Sequence, residues 1–518
     1  MRVTQALIRN LQQKPKAIAT IFGDRRTTWE ELVERISKLA SGLLKCGLQT
    51  QDRVAIVSLN SDKYLETLFA APWAGGVIVP INYRWSAPEI AFALNDSGTK
   101  FVFLDDEFGG LASDLRKLVN HELTIIALES EFLGSDATHE KLIAASDSVP
   151  EFHNNGDDIS GIFYTGGTTG RSKGVMLTHE NHMSNTFQSA ALMETSDGMN
   201  YLHAAPAFHI ADAEFFYTIT QLAGCHVFVS RFEPQTCAEA IGKHAISDII
   251  LVPTMIQMLL ALPEFSSYNF SSLKHLYYGA SPMPEAVAGE LIEKLPHVKA
   301  YHLYGQTESA PLLTSLDPSY HVTTGPLAGR LRSAGRAMPA VEIKIIDEGG
   351  NEVPRGTIGE IIARGPNIMK GYWGQEKLTQ ETIRNGWLHT GDAAHMDEEG
   401  FIFISDRLKD MIISGGENVY SAEVENAMYQ HPKVAQCAVI GVPDEKWGER
   451  VHAIVLTEND EKISPEELMS HCRALIADFK CPRSITLRTE PLPLSGAGKV
   501  LKTELRKPFW KGLKKAVN

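Results

Sequence analysis

The chain has 518 residues, 43% of them hydrophobic and 22% charged, with a formal net charge of −14. That length is too great for one hydrophobic core and implies two or more domains. The acidic balance argues against a nucleic-acid binder, which needs a basic face.

Taken in order, the amino terminus Met1-Arg2-Val3-Thr4-Gln5 carries no apolar signal core. Thr28 and Glu31 have capping-box spacing and open a helix to about Cys46. Residues 53–57 read as a strand, 61–71 as a helix, 76–79 as a strand, 87–95 as a helix and 100–104 as a strand. Such alternation predicts parallel sheets covered by helices. The most apolar stretch, 67–81, is broken by Pro72, Gly75, Gly76 and Pro80, and is too short for a membrane span of about 20 residues. The six cysteines, Cys46, Cys225, Cys237, Cys437, Cys472 and Cys481, show no C-x-x-C spacing. Reduced thiols in a cytoplasmic protein are therefore expected, not a disulfide framework or a zinc site.

The next segment, Tyr164-Thr165-Gly166-Gly167-Thr168-Thr169-Gly170-Arg171-Ser172-Lys173-Gly174, follows an apolar run and precedes another, so it reads as a loop closing a strand. Its glycines let the backbone turn N–H groups toward one point. Threonine hydroxyls with Arg171 and Lys173 surround that point, making a cradle for a polyphosphate. It is not a Walker A site, because Arg171 and Ser172 separate Gly170 from Lys173. Gly170, Ser172 and Gly174 also match the G-x-S-x-G elbow of esterases, but flanking cations suit a phosphate better than an acyl ester. Strands follow at 225–229, 248–252 and 276–278. From 341 the texture turns β-rich, with strands at 341–346 and 359–363. Beyond a boundary near 407–410, segments 421–429, 434–442, 450–456 and 465–478 predict a small α+β domain.

The loop resembles the phosphate loop of the adenylate-forming superfamily: acyl-CoA synthetases, adenylation domains and beetle luciferases. Further motifs stand in that family's order: Tyr304-Gly305-Gln306-Thr307-Glu308, Gly386 to Asp392, Asp406-Arg407-Leu408-Lys409-Asp410, Ser414-Gly415-Gly416-Glu417-Asn418 and Ser495-Gly496-Ala497-Gly498-Lys499. Gly166 stands where the family commonly carries Ser or Thr, and Ser172 where Pro is usual. Gly496-Ala497-Gly498 before Lys499 also departs from the commoner pattern. No departure removes a charged group.

The resemblance implies an α/β fold. Its large N-terminal domain, 1–406, has two parallel-type sheets covered by helices and a β-rich subdomain at about 325–405. A small mobile α+β domain, 407–518, turns about a hinge near Lys409. It further implies an AMP-forming acid–thiol ligase, using ATP, Mg2+ and CoA, that makes an acyl-adenylate and transfers the acyl group to CoA. Carboxylate attack on a phosphate brings two anions together, so preplaced cations and donors are required. Thr165, Gly166, Gly167, Thr168, Thr169, Gly170 and Lys173 would hold the β- and γ-phosphates. Glu308 would bind Mg2+, Thr307 would lie near the α-phosphate, and Asp392 with Arg407 would take the ribose. Gly279, Ala280 and Ser281, with His302, Tyr304 and Gly305, would form the adenine side. Lys499 would approach the reacting groups as a mobile cation.

The acyl pocket and CoA tunnel are expected to involve His209, Ile210, Met255, Tyr278, Leu312, Gly415 and Gly416. Phe215, Phe216 and Met258 are expected as further apolar walls, with Asp212 and Glu214 in surface or capping roles. A medium- or long-chain fatty acid is the expected substrate, with an aryl or cyclic acid as alternative. Other readings are an adenylation enzyme loading a separate carrier protein and an inactive nucleotide-binding regulator. No carrier segment is expected after Lys499. A homodimer fits the family, without nucleic acid or a transmembrane segment. The basic tail 509–515 reads as a solvated terminus rather than a lipid contact.

Overall fold

Thr28 accepts a hydrogen bond from the Glu31 N–H while the Glu31 carboxylate takes the Thr28 N–H. That capping box starts the Trp29–Lys45 helix where the sequence pattern put it. The computed structural model describes residues 1–165, 172–193, 199–408, 410–414, 417–457, 463–495 and 500–511. Helix Asp62–Trp73 is capped by Ser61 and buried along its whole length. A helix buried all round belongs inside a multilayer domain. Its charges survive there because each is paired: Asp62 with Arg25 at 2.7 Å, Lys63 with Glu129 at 2.8 Å and Glu66 with Arg35 at 2.6 Å.

Two large sheets dominate the described residues of the N-terminal part. One runs, in spatial order, Arg336–Ala337, Leu312–Leu316, Lys299–Gly305, His275–Gly279, Asp248–Leu251, Asn200–His203, Cys225–Phe228, Ile18–Phe22 and Arg25–Thr28. The other runs Gly371–Tyr372, Lys173–Thr178, Ile159–Thr165, Val77–Pro80, Arg53–Val57, Phe101–Leu104, Thr124–Ala127 and Ala137–Thr138. Trp29, Phe69, Phe216, Tyr217 and Phe228 share one core among the intervening helices, with Phe69 edge-on to Tyr217 at 5.6 Å.

Both sheets are parallel in the middle, as the βα alternation predicts, yet the first is antiparallel at both edges and the second at one. Consecutive strands reverse between Ile18–Phe22 and Arg25–Thr28, between Ile159–Thr165 and Lys173–Thr178, and between Lys299–Gly305 and Leu312–Leu316. A parallel crossover needs about a dozen residues or more, and segments 166–172 and 306–311 are too short. The fold therefore turns back sharply at these two segments, and both carry motifs singled out above.

A β-rich unit follows, with strands Glu342–Ile346, Gly359–Arg364, Ile383–Arg384, Trp387–Met396 and Ile402–Arg407. The carboxy-terminal unit is α+β. Its sheet contains Ile412–Ser414, Glu417–Val419, Val434–Asp444, Gly448–Thr457 and Ser484–Arg488, covered by helices Ser421–Tyr429 and Pro465–Leu475. No helix among the described residues is long and apolar enough to cross a membrane.

Gly279 closes its strand opposite Leu303, where an added Cβ would lie 2.0 Å from the Leu303 carbonyl oxygen. Backbone cannot yield at that distance without parting the strands. Gly279→Ala is expected to lower stability by about 3 kcal/mol or more in urea unfolding; a loss below about 1 kcal/mol would show that the strands are not locked there.

Candidate active site

The phosphate-type loop is carried by a two-stranded hairpin in which Thr165 pairs with Lys173 and Tyr164 with Gly174. Gly166, Gly167, Thr168, Thr169, Gly170 and Arg171 lie outside the described residues. Both stems are anchored. Tyr164 donates its hydroxyl to Asp96 at 2.6 Å, and Trp373 donates its indole N–H to the Asp96 carbonyl at 3.0 Å. The short strand Gly371–Tyr372 pairs with Val175 and Met176, and the Trp373 N–H bonds the Gly174 carbonyl at 2.8 Å. Lys173, half-buried at the foot of the hairpin, has its ammonium 5.2 Å from the centre of the Tyr372 ring. A cation over an aromatic face is attracted by the ring quadrupole.

The second reversal holds Thr307 and Glu308 in a single 3-10 turn, Thr307–Ser309. The Gln306 N–H bonds the Ser309 hydroxyl at 3.1 Å, and Asn367 donates to the carbonyls of Ser309 and Leu312 at 2.8 and 2.7 Å. An added Cβ at Gly305 would lie 1.7 Å from the Pro311 carbonyl oxygen, so only glycine lets this turn close so tightly. The Met369 N–H bonds the Glu308 carbonyl at 2.9 Å, and the Tyr372 hydroxyl donates to Glu308 Oε1 at 2.8 Å. Burial, then the neighbouring Glu308 charge, raises the Tyr372 phenol above its ordinary range. Tyr372 thus touches both Lys173 and Glu308, a role that no local pattern in the sequence reveals.

Asp392 and Arg407 face each other in register on adjacent antiparallel strands. Arg407 Nε lies 2.9 Å from Asp392 Oδ1, while the Tyr304 hydroxyl donates to Oδ2 at 2.8 Å. The Asp392 charge, opposed by burial, keeps the guanidinium above its usual value. Tyr304, expected on the adenine side, is tied by its hydroxyl to Asp392. Each carboxylate oxygen retains a lone pair for a further donor such as a ribose hydroxyl.

Ala280 follows Gly279 with φ of 65°, a left-handed conformation costing a non-glycine about 1–2 kcal/mol. Ser281 is partly exposed beside it. His302 stacks on Tyr278 with centroids 4.8 Å apart and planes 6° from parallel. Its Nδ1 lies 2.9 Å from the Ser333 carbonyl. A carbonyl only accepts, so the proton sits on Nδ1 and Nε2 is left an acceptor. The Tyr278 hydroxyl meets His321 Nε2 at 2.9 Å, and His321 Nδ1 lies 3.3 Å from the Asp317 carbonyl. Burial lowers both imidazoles to about 4, so both are neutral near pH 7.

The expected acyl walls divide among different packing groups. His209 caps helix Ile210–Gln221, its Nδ1 accepting from the Ala211 N–H at 3.3 Å. Ile210 packs in a cluster with Phe163, Val175, Ala310, Met369 and Tyr372. Leu312 belongs to a cluster with Tyr304 and Tyr277, and Met255 to one with Tyr278 and Val252. Phe215 stacks on Tyr201 at 4.9 Å and Phe216 on His203 at 4.0 Å. Met258 is instead 53% exposed. The surface or capping roles expected for Asp212 and Glu214 are corrected: both side chains are buried. Asp212 accepts from Tyr201 and His203, each at 2.9 Å, and Glu214 is held by His182 and by Asn185 at 3.2 Å. Interior partners on the flanking strand and helix compensate the charge.

Lys409, Gly415, Gly416, Lys499 and the tail from 512 lie outside the described residues. Among the described residues, a chain of contacts that no motif reveals joins residues 406, 421, 425 and 502. Lys502 pairs with Glu425 at 2.7 Å and donates to the Ser421 hydroxyl at 2.6 Å, which donates to Asp406 at 2.6 Å. It links the strand carrying Arg407 to the first helix of the carboxy-terminal unit. Among the described residues, no group of three His, Cys, Asp or Glu side chains could hold a metal ion. Glu308 offers a single carboxylate with Oε1 engaged by Tyr372. That fits Mg2+, which takes one or two protein carboxylates alongside substrate phosphate oxygens and water.

Residues 7–373 match the family model for the AMP-binding enzyme, and 423–499 the AMP-binding enzyme C-terminal domain. A feruloyl-CoA synthase from Amycolatopsis sp is 39% identical over 504 residues, covering 97% of this chain and 98% of the relative. The fatty acid–[acyl-carrier-protein] ligase ScoC of Streptomyces coeruleorubidus is 36% identical, covering 98% and 96%. The o-succinylbenzoate CoA synthetase MenE of Bacillus subtilis, solved with its acyl-adenylate, superposes with a TM-score of 0.84 at 29% identity, over 99% of each chain.

The neutral histidines set a pH dependence. An imidazole whose folded value is about 4 against about 6.5 unfolded binds fewer protons when folded, so stability rises with pH across that window. Lowering the pH from 6.5 to 5 should cost about 1.5 kcal/mol for each of His302 and His321. Urea unfolding at the two pH values measures it. His321→Gln should remove its share and roughly halve the part of the difference due to this pair; an unchanged slope would mean that the imidazole is not held neutral.

Proposed function

The chain belongs to the AMP-binding enzymes, as an AMP-forming acid–CoA ligase, and we propose that its substrate is a compact aryl carboxylic acid. The observation that carries the ligase chemistry at this site is the convergence of Lys173 and Glu308 on Tyr372, beside Asp392 held by Arg407 and Tyr304. In this reading Lys173 and the glycine loop hold the β- and γ-phosphates, so the loop retains the leaving pyrophosphate. Glu308 holds Mg2+, which when bound screens the phosphate charge. Asp392 accepts the ribose hydroxyls, with Arg407 beside it. His302 offers its unprotonated Nε2 to the adenine amino group, next to Gly279, Ala280 and Ser281. Thr307 stands by the α-phosphate, and Lys499 brings a positive charge to the oxygens that become crowded as the acid carboxylate attacks.

The acid preference rests on packing. Phe215 and Phe216, expected to line an acyl channel, stack inside the core, and Glu214 of the same helix is buried and held by His182 and Asn185. This leaves the Ile210–Gln221 helix little scope as the wall of a long alkyl tunnel and favours a short, flat acid. The 39% identity to a feruloyl-CoA synthase supports the same choice. An acyl acceptor other than CoA is the second reading, favoured by the similarity to ScoC, whose name specifies a carrier protein. All six cysteines are free thiols, which supports a reducing, cytoplasmic setting.

The test combines ATP, Mg2+ and CoA with a panel of arylpropenoic, benzoic and medium- to long-chain fatty acids, with products separated by chromatography. Arylpropenoyl-CoA and AMP are expected. Preference for a long-chain acid would overturn the substrate assignment, and AMP formed only with a carrier protein would overturn the acceptor. Lys499→Ala should slow acid-dependent pyrophosphate release at least about hundredfold while sparing ATP binding; equal loss of both would deny it a role in the chemical step.

A further inference from the structure

Lys173 and Glu308 carry opposite charges on the two chain reversals and come together at the same phenol. Among the described residues no ion pair joins them. Tyr372 stands between: its ring face is 5.2 Å from the Lys173 ammonium and its hydroxyl donates to Glu308 Oε1 at 2.8 Å. The phenol is itself closely packed. It is 4% exposed, packed with Phe163, Val175, Ile210 and Met369, and its N–H is bonded to the Thr379 hydroxyl at 2.9 Å. Its strand is also the outer rung of the hairpin whose foot is Lys173.

A tyrosine in this place does something that neither a phenylalanine nor an ion pair can. A direct Lys173–Glu308 salt bridge would neutralise both groups before a triphosphate arrived. The phenol satisfies the carboxylate with a neutral donor and the ammonium with a neutral π face, so both charges stay available. It also selects one Glu308 rotamer, committing Oε1 and leaving Oε2 for another partner.

We propose that Tyr372 is a positioning residue that spaces Lys173 and Glu308 apart and orients both toward a metal-bound triphosphate. This rests on the roles given to those two residues above. The hydroxyl serves the metal side through Glu308, and the ring serves the phosphate side through Lys173, so the two contributions are separable by substitution.

Calorimetric titration of the full chain with ATP, in Mg2+ and in EDTA, tests this without relying on turnover. For Tyr372→Phe, which keeps the ring, affinity for ATP with Mg2+ should fall about tenfold, as for a lost hydrogen bond to a charged group. Affinity in EDTA should stay within about twofold of wild type. Tyr372→Leu should additionally weaken ATP in EDTA by about threefold, as expected for a lost cation–π contact. The Mg2+ concentration giving half-maximal pyrophosphate exchange should rise about tenfold in Tyr372→Phe, with the KM for the acid unchanged. Thermal melts establish that each variant is folded; if Tyr372→Leu is not, Tyr372→Phe decides. Equal weakening of ATP with and without Mg2+, or no weakening, would overturn the proposal. If Glu308→Gln abolishes the Mg2+ effect while Tyr372→Phe keeps it, the proposal fails and the Glu308 reading stands. If Mg2+ does not strengthen ATP binding to the wild type, both fail.

Discussion

The arrangement of the site depends on two connections being too short to cross a sheet. Segments 166–172 and 306–311 cannot carry the chain over to a parallel neighbour, so each reverses at a sheet edge. One reversal carries Lys173 at its foot and the other carries Thr307 and Glu308 at its tip. Residues 367–373 then bind both: Asn367 and Met369 hold the second turn, while Tyr372 and Trp373 pair with the first. That third segment adds hydrogen bonds to the packing of Phe163 and Val175 with Ala310, which already joins the hairpin to the acidic turn.

The two site carboxylates are held alike. Glu308 accepts the hydroxyl of Tyr372 and Asp392 that of Tyr304, each at 2.8 Å. A neutral donor fixes a carboxylate without cancelling its charge. Arg407 adds a charged partner to Asp392, whereas Lys173 is kept off Glu308 by the phenol between them. His302, on the expected adenine side, and His321 beyond Tyr278 are likewise neutral, because burial lowers their basicity and backbone carbonyls claim their Nδ1 protons. Cationic charge is thereby concentrated where phosphate is expected.

The interior helices show the opposite use of polarity. Asp212 and Glu214 lie deep in the protein, yet each is closed off by histidine and by a further donor. Such satisfied groups specify the packing of the Ile210–Gln221 helix rather than contacting substrate. The aromatic residues of that helix do the same, stacking on Tyr201 and His203. The substrate assignment shifts toward a compact acid for that reason.

Much of the fold was legible in the chain itself. The capping box at Thr28, the βα alternation and the β-rich texture after residue 341 are local signals, and each corresponds to an element of the structure. The charged residues of the site stand in motifs that spacing and resemblance pick out, because their chemistry demands particular side chains at particular turns. Local patterns could not place Tyr372 against Lys173 and Glu308, or turn Asp212 and Glu214 inward. They also gave no sign that Phe215 and Phe216 are core, since periodicity on a helix buried all round does not distinguish a channel wall from packing. Those facts depend on contacts between residues far apart in the chain, which only the closing of the two sheets around their helices decides.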